Sequence, residues 1–375
     1  EKKRKLIGEI EMLNALKNKY AREKDIEKGK ETKVKLQNLE PKLKEVEKEF
    51  LATIYKIPNI VSNDTIVGKD ESENKVIRTW GTPRKFGFAV KDHMELGIKL
   101  GIIDTELGSK VAGARFNYLF GDAVLLQNAL HQFAMEVLLK KGFVPVVPPL
   151  IVKAEVMKKM SRHDPLEERY YLKEDDSMLV GSAEHTLGPM HMNETLNEKD
   201  LPLRYFAYTS AFRREAGTYG KDTRGILRVH QFDKVEMVEF VKPEDDEKER
   251  KKILNLCESF MQDLDLPYQL VQLASGDLAF PTAQTLDIET WMPSQNKYRE
   301  THSISTTTDF QARRLNIKYK ENPPAGGKKF VHILNGTAFA IGRTIIAILE
   351  NYQQKDGSII IPKILQKYIG KDVIK

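Results

Sequence analysis

Cysteine is almost missing: Cys257 is the single one in 375 residues. One thiol cannot close an internal disulfide or supply a multi-thiolate zinc site, so nothing here calls for an oxidising compartment. Long apolar runs are missing too. No stretch approaches the ~18 to 20 consecutive apolar residues of a membrane helix, which excludes a helical membrane-spanning protein. The chain opens at Glu1 without a methionine or the apolar core of a signal peptide. The expectation is a cytoplasmic protein, with an organellar one left open where the natural N-terminus lies further upstream. The glycine-containing loop at 217–225 carries neither GxxxxGK[ST] nor GxGxxG, against a P-loop or Rossmann nucleotide site. There is no internal repeat.

What is present is a globular balance, 41% hydrophobic and 30% charged residues, in a length that suggests about two structural units. The formal net charge is +6, and residues 1–56 hold 16 Lys or Arg against 11 Asp or Glu, so nearly all of the surplus sits in that segment. Such concentration suggests a polyanionic partner; the alternative is a solvated helix surface. The segment reads as helix. Leu36, Leu39, Leu43, Val46, Phe50 and Thr53 recur at spacings of three and four, a heptad seam. Leu6, Ile10, Leu13 and Tyr20 form a weaker matching stripe, and Glu27-Lys28-Gly29-Lys30 offers a tip for an antiparallel pair. Pro41 lacks an N–H and predicts a kink, or a helix that begins near it.

From Ile57 to about Phe88, Pro58, Asn59, Asn63, Asp64, Gly68, Gly81 and Pro83 punctuate short apolar runs, as in a linker. Beyond Asp92 helices and strands alternate densely. Leu125 to Lys141 reads as an amphipathic helix, followed by a short strand at Phe143 to Val147 and then Pro148-Pro149. The stretch 205–239 reads as a strand to Phe212, a polar loop from Gly217 to Gly225, and a return strand from Ile226 to Glu239. Arg213 and Arg214 at the end of the first strand, with Lys221 and Arg224 in the loop, suit convergence on a polyphosphate, since the guanidinium fork binds phosphate bidentately. Phe232 lies where alternation could turn it towards a flat ligand, although a lone phenylalanine is ordinarily core. Arg343 opens an apolar helix, Thr344 to Tyr352, and needs an anion or a ring face, or a surface salt bridge.

Taken together, GSAEH (181–185), FRREAGTYGKDTRG, VHQFDKVE, DFQARRLNI (309–317), LNGTAFAIGR (334–343) and ENYQQKDGSIIIP (350–362) resemble the signature motifs of class II aminoacyl-tRNA synthetases. The likeness is greatest to the seryl-tRNA synthetases and runs through essentially the whole chain. It implies an α+β fold: an antiparallel sheet flanked by helices, with an N-terminal antiparallel two-helix coiled-coil arm. The domains would be a tRNA-binding arm at 1–56, a linker at 57–94 and the catalytic domain at 95–375, the family's cap ahead of the arm being lost by truncation. The helix and strand at 125–148 would form a homodimer interface.

The resemblance also implies roles. Arg213 would hold the α-phosphate of ATP, Glu215 would meet the adenine edge, and Phe232 and Arg343 would sandwich the ring. Arg214, Val229, His230, Gln231, Thr301 and His302 would complete the ATP site. Glu300 and Ser303 would hold Mg2+. Ser182, Ala183, Glu184, Glu236, Asn335 and Thr337 would line the L-serine pocket, with tRNA(Ser) gripped by the basic arm. Zinc is not expected, because Cys257 stands apart from these motifs. The run Thr301-His302-Ser303-Ile304 departs from the family's small apolar residue and paired serines. His302 beside the metal contact is therefore read either as a phosphate or tRNA contact or as a structural histidine. Competing readings are another class II synthetase, a relative that charges a carrier protein, and an RNA-binding protein that kept the fold without catalysis.

Overall fold

The computed structural model describes residues 1–216, 224–323 and 326–375. The chain divides into two compact units, Glu1–Pro58 and Asn59–Lys375.

The first unit is a helix pair, α1 (Lys2–Glu23) and α2 (Ile26–Ile54). Leu13 of α1 and Thr32, Leu36 and Val46 of α2 are buried, as the heptad seam requires, whereas Phe50 is 46% exposed. The turn differs from expectation. It falls at Lys24, in the left-handed conformation with φ 58°, and Asp25, whose carboxylate caps α2 by accepting from the Lys28 N–H at 3.1 Å. Residues 27–30, read as the tip, are the first turn of α2, because an Asp N-cap is a stronger start signal than a glycine is a stop. Pro41 neither starts nor interrupts α2. The seam on both sides of it packs against α1, and that packing outweighs the one missing hydrogen bond.

The second unit is built on an eight-stranded sheet. Its strands are β1 (Lys75–Trp80), β2 (Val144–Pro145), β3 (Leu203–Phe212), β4 (Gln231–Val241), β5 (Tyr268–Gln272), β6 (Gln284–Met292), β7 (Lys297–Thr306) and β8 (His332–Ala340). Their spatial order is β1-β5-β6-β7-β8-β4-β3-β2. Every pairing is antiparallel except β2 with β3. Helices α3 (Gly121–Lys140), α5 (Asp246–Asp263) and α6 (Ile341–Tyr352) cover one face, and their apolar sides share one core with it. At Gly336, in mid-strand β8, an added Cβ would lie 2.4 Å from Ile253 Cγ2 of α5. Glycine there lets the helix seat against the sheet.

The segment read as a linker contributes structure of its own. Residues 59–94 fold with the second unit, and β1 is an edge strand in which Trp80 stacks on Tyr268 with ring centroids 5.7 Å apart. Its partners lie some 180 residues later, as with Arg78 and Glu258, so local pattern could not reveal the pairing. The return strand begins at Gln231 rather than Ile226. Gly217 and Lys221 of the loop lie outside the described residues. Among the described residues no helix is long and apolar enough to cross a membrane.

Candidate active site

Strand alternation sets the floor of the site. Phe232, Lys234 and Glu236 are two apart on β4 and face the same side, where all three line a cavity of about 510 Å³. That volume suits a small-molecule ligand. β8 lies beside β4, with Glu236 opposite Thr337 and Val238 opposite Asn335. Asn335 Nδ2 donates to Glu236 Oε1 at 3.1 Å, and Thr337 Oγ1 donates to Oε2 at 3.0 Å. Lys234 Nζ stands 2.7 Å from the same Oε2. Glu236 is 1% exposed, so its charge is held by this cage rather than by water. Directly below, Cys257 of α5 donates its thiol to the Thr337 carbonyl at 3.2 Å, and burial pushes that thiol well up from its ordinary value.

β7 brings Glu300 and Ser303, which are three apart and would point to opposite faces of a regular strand. The register explains why both line the cavity: Ile288 pairs with His302 but Glu289 pairs with Glu300, leaving an extra residue in β7. This bulge restores the facing of Ser303. Thr301 lies in the bulge with its hydroxyl 2.7 Å from that of Thr290. His302 turns into the core, its ring 6.0 Å from that of Phe339, and burial lowers its pKa to about 4. It is 1% exposed and is not among the cavity's lining residues.

Arg343 crosses to β7, donating from Nη1 to the Glu300 carbonyl at 2.9 Å and lying 3.1 Å from its carboxylate. The Glu300 side chain is 49% exposed at the cleft; desolvation by the surrounding walls raises its carboxyl, but Arg343 and Arg213 outweigh that and hold it low. Arg213 donates Nε to the Gly181 carbonyl at 3.2 Å and holds its guanidinium 5.3 Å from the Phe232 ring centre. Glu215 takes a left-handed φ of 49°, an uncommon conformation for a residue with a side chain, and its Oε2 is 3.4 Å from Arg228 Nη1.

Another part of the wall comes from the chain beyond helix α4 (Ala154–Lys159), at Arg162, Glu168 and Arg169. Arg162 clasps Glu184 through Nη2 at 2.8 Å and Nε at 2.9 Å. Burial opposes ionisation of Glu184, yet Arg162 prevails and holds its carboxyl at about 2. His185 accepts the Gly181 N–H at 3.0 Å through Nδ1 and is held neutral by burial, its pKa falling to about 3.

Most of the expected residues meet here: Ser182, Glu184, Arg213, Glu215, Val229, Phe232, Glu236, Glu300, Thr301, Ser303, Asn335, Thr337 and Arg343 all line the cavity. Five do not. Ala183 is fully buried in a neighbouring apolar cluster. Arg214 lies over the Tyr170 ring at 5.8 Å, and His230 Nδ1 is 2.9 Å from the Arg213 carbonyl. Gln231 lines a second, smaller cavity, and His302 is in the core. Gln231 and His302 lie on strands, where alternation turns them away from Phe232 and Ser303, whereas Ala183, Arg214 and His230 lie outside the strands. Sequence reasoning missed Arg162, Arg169 and Lys234. Only Lys234 carried a signal, its place between Phe232 and Glu236.

The lining suits a divalent cation. Among the described residues it holds six Lys or Arg against six Asp or Glu, a balance that leaves room for an added cation beside a triphosphate. Beside Glu300 and Ser303, Asp287 pairs with Ser303 across β6 and β7, and its Oδ1 is buried without a hydrogen-bond partner among the described residues. Burial and the nearby Glu300 push its carboxyl well above the usual range. Acidic oxygens that repel one another fit a hard cation such as Mg2+. Among the described residues no three His, Cys, Asp or Glu side chains form a metal-holding group, so such an ion would need oxygens from a ligand.

Residues 165–352 match the family described as "tRNA synthetase class II core domain (G, H, P, S and T)". The serine--tRNA ligase of Thermodesulfovibrio yellowstonii is 42% identical over 99% of this chain and 91% of its own length. The chain belongs to the serine--tRNA ligase family. A second family member, from Sulfurihydrogenibium sp., is 48% identical over 87% of this chain and 78% of its own. Among solved structures, the seryl-tRNA synthetase of Pyrococcus horikoshii complexed with ATP superposes with a TM-score of 0.89 at 38% identity, covering 99% of this chain and 90% of that one. The cytoplasmic serine-tRNA ligase of Naegleria fowleri in complex with AMP gives 0.85 at 34% identity, over 100% and 89%. These family members share the helix pair as well as the sheet.

Proposed function

We propose that the chain activates L-serine with ATP to seryl-adenylate and transfers the seryl group to the 3′ end of tRNA(Ser). The observation that carries the reading is the Glu236 cage, with Asn335 and Thr337 already oriented on a buried carboxylate in the same cavity as Phe232 and Arg213. A site built to hydrogen-bond a small hydroxylated amino acid leaves polar groups unpaired when alanine enters, at ~1–3 kcal/mol for each buried group.

In the first step a serine carboxylate oxygen attacks the α-phosphorus and pyrophosphate departs. The carboxylate is ionised at neutral pH, so no general base is needed, in keeping with a site of arginines and carboxylates. Catalysis is then positioning plus charge neutralisation. Arg213 would meet the α-phosphate, Glu215 the adenine edge, and Phe232 and Arg343 the two faces of the ring. Glu300 and Ser303 would hold Mg2+, which when bound neutralises phosphate charge. In the second step the 3′-hydroxyl of the terminal ribose attacks the mixed anhydride and AMP leaves.

The basic helix pair would grip tRNA(Ser). The expected homodimer interface at 125–148 is supported by a row of exposed apolar side chains, with Leu139 at 49%, Val144 at 51% and Val147 at 99%. ATP–pyrophosphate exchange with each of the twenty amino acids tests the reading. Serine alone should support strong exchange. Exchange with a different amino acid would reassign the substrate, and none at all would leave an RNA-binding protein.

A further inference from the structure

Lys234 is a buried cation that none of the roles above uses. It is 7% exposed, yet it lines the cavity with its ammonium 2.7 Å from Glu236 Oε2. Residues two apart on a strand stand ~6.6 to 6.8 Å apart. Lys234 therefore stands between Phe232 and Glu236 along the strand, with its ammonium turned to the Glu236 carboxylate. In the proposed function those two mark the nucleotide base and the bound amino acid, so the space between them is where the amino-acid carboxylate meets the α-phosphate. Two anions must approach there to bonding distance, and a desolvated cation is worth more at such a point than in water. Its charge already reaches Glu184 and Glu300, lowering both carboxyls.

We propose that Lys234 contacts the substrate: it holds Glu236 while the pocket is empty, yields that carboxylate to the incoming amino acid, and takes the amino acid's own carboxylate, aiming it at phosphorus. The Lys234 ammonium thus stands in for the substrate's ammonium until exchange occurs. No proton moves in this transfer, which swaps one ion pair for two.

The inference rests on the reading of the site as a serine-activating one, and the test separates the two. Lys234→Met and Lys234→Arg are made in the full chain. Binding of L-serine and of L-serinamide, which lacks the carboxylate charge, is measured by calorimetry alongside serine-dependent pyrophosphate exchange. For Lys234→Met the Kd of L-serine should rise at least tenfold and kcat should fall, while the Kd of L-serinamide and the KM for ATP change less than threefold. Lys234→Arg should fall between wild type and Lys234→Met for L-serine and match wild type for L-serinamide. Equal losses for both ligands would confine Lys234 to supporting Glu236 and overturn the proposal, as would unchanged L-serine binding. Should Lys234→Met fail to fold, the Lys234→Arg comparison decides alone. Absence of serine-dependent exchange in the wild-type protein would instead sink the serine reading.

Discussion

Replacing Arg162 by methionine removes the cation that keeps Glu184 ionised in a nearly dry setting. The Glu184 side chain is 6% exposed and that of Arg162 is 16% exposed. Two routes give the cost. Breaking a buried pair by deleting one partner is worth ~3–5 kcal/mol. Independently, holding the Glu184 carboxyl at about 2 rather than 4.5 corresponds to roughly 3 kcal/mol at ~1.36 kcal/mol per pH unit. The sign follows from the depressed value. The contribution is present in full above the unfolded pKa near 4.5 and is lost as pH falls through that value towards about 2. Urea unfolding at pH 7 should therefore show Arg162→Met less stable than wild type by ~3–5 kcal/mol, with the gap narrowing near pH 3. The double variant Arg162→Met, Glu184→Gln should recover much of the loss, because no charge remains stranded. A loss below ~1 kcal/mol at pH 7, or a double variant as unstable as the sum of its parts, would refute the reasoning.

Glu239 gives the opposite pH trend. It is buried under the sheet with Arg204 Nε 3.4 Å from its Oε1, and burial raises its carboxyl to about 8, Arg204 only partly opposing and Glu249 adding to the rise. The folded state then keeps a proton that the unfolded state gives up above pH 4.5, so the group's contribution falls between pH 4.5 and about 8. Glu239→Gln removes that decline, and its Tm advantage over wild type should widen from pH 5 to 8.5 in thermal melts; a constant difference would contradict the assignment. Deleting residues 1–56 should spare serine-dependent pyrophosphate exchange but sharply weaken transfer to tRNA(Ser). The intact protein's tRNA affinity should fall steeply with salt, and unchanged aminoacylation by the shortened chain would remove the arm from tRNA binding.

Much of the site was legible because β4 obeys simple alternation: Phe232 and Glu236 share a face in sequence as in space. The motif resemblance supplied Glu300 and Ser303, but alternation alone would have separated them. Only the bulge at Thr301 and His302 lets both face inward, and nothing in the local sequence marks it. Arg162 and Arg169 were illegible for another reason. They come from the chain after a short helix and reach the cavity through tertiary contacts such as Arg162 with Glu184. The same limit hid β1, whose support comes from Tyr268 and Glu258. In α2 the hydrophobic seam was readable, but not that its packing would carry the helix through Pro41.

The lone thiol has a practical use. Cys257 is completely shielded and bonded to the backbone of Thr337, the residue whose hydroxyl braces Glu236. A maleimide or disulfide reagent reaches it only in molecules whose centre has transiently come apart. Its alkylation half-life is therefore a built-in stopwatch for the integrity of the ground beneath the amino-acid pocket, read without introducing any label.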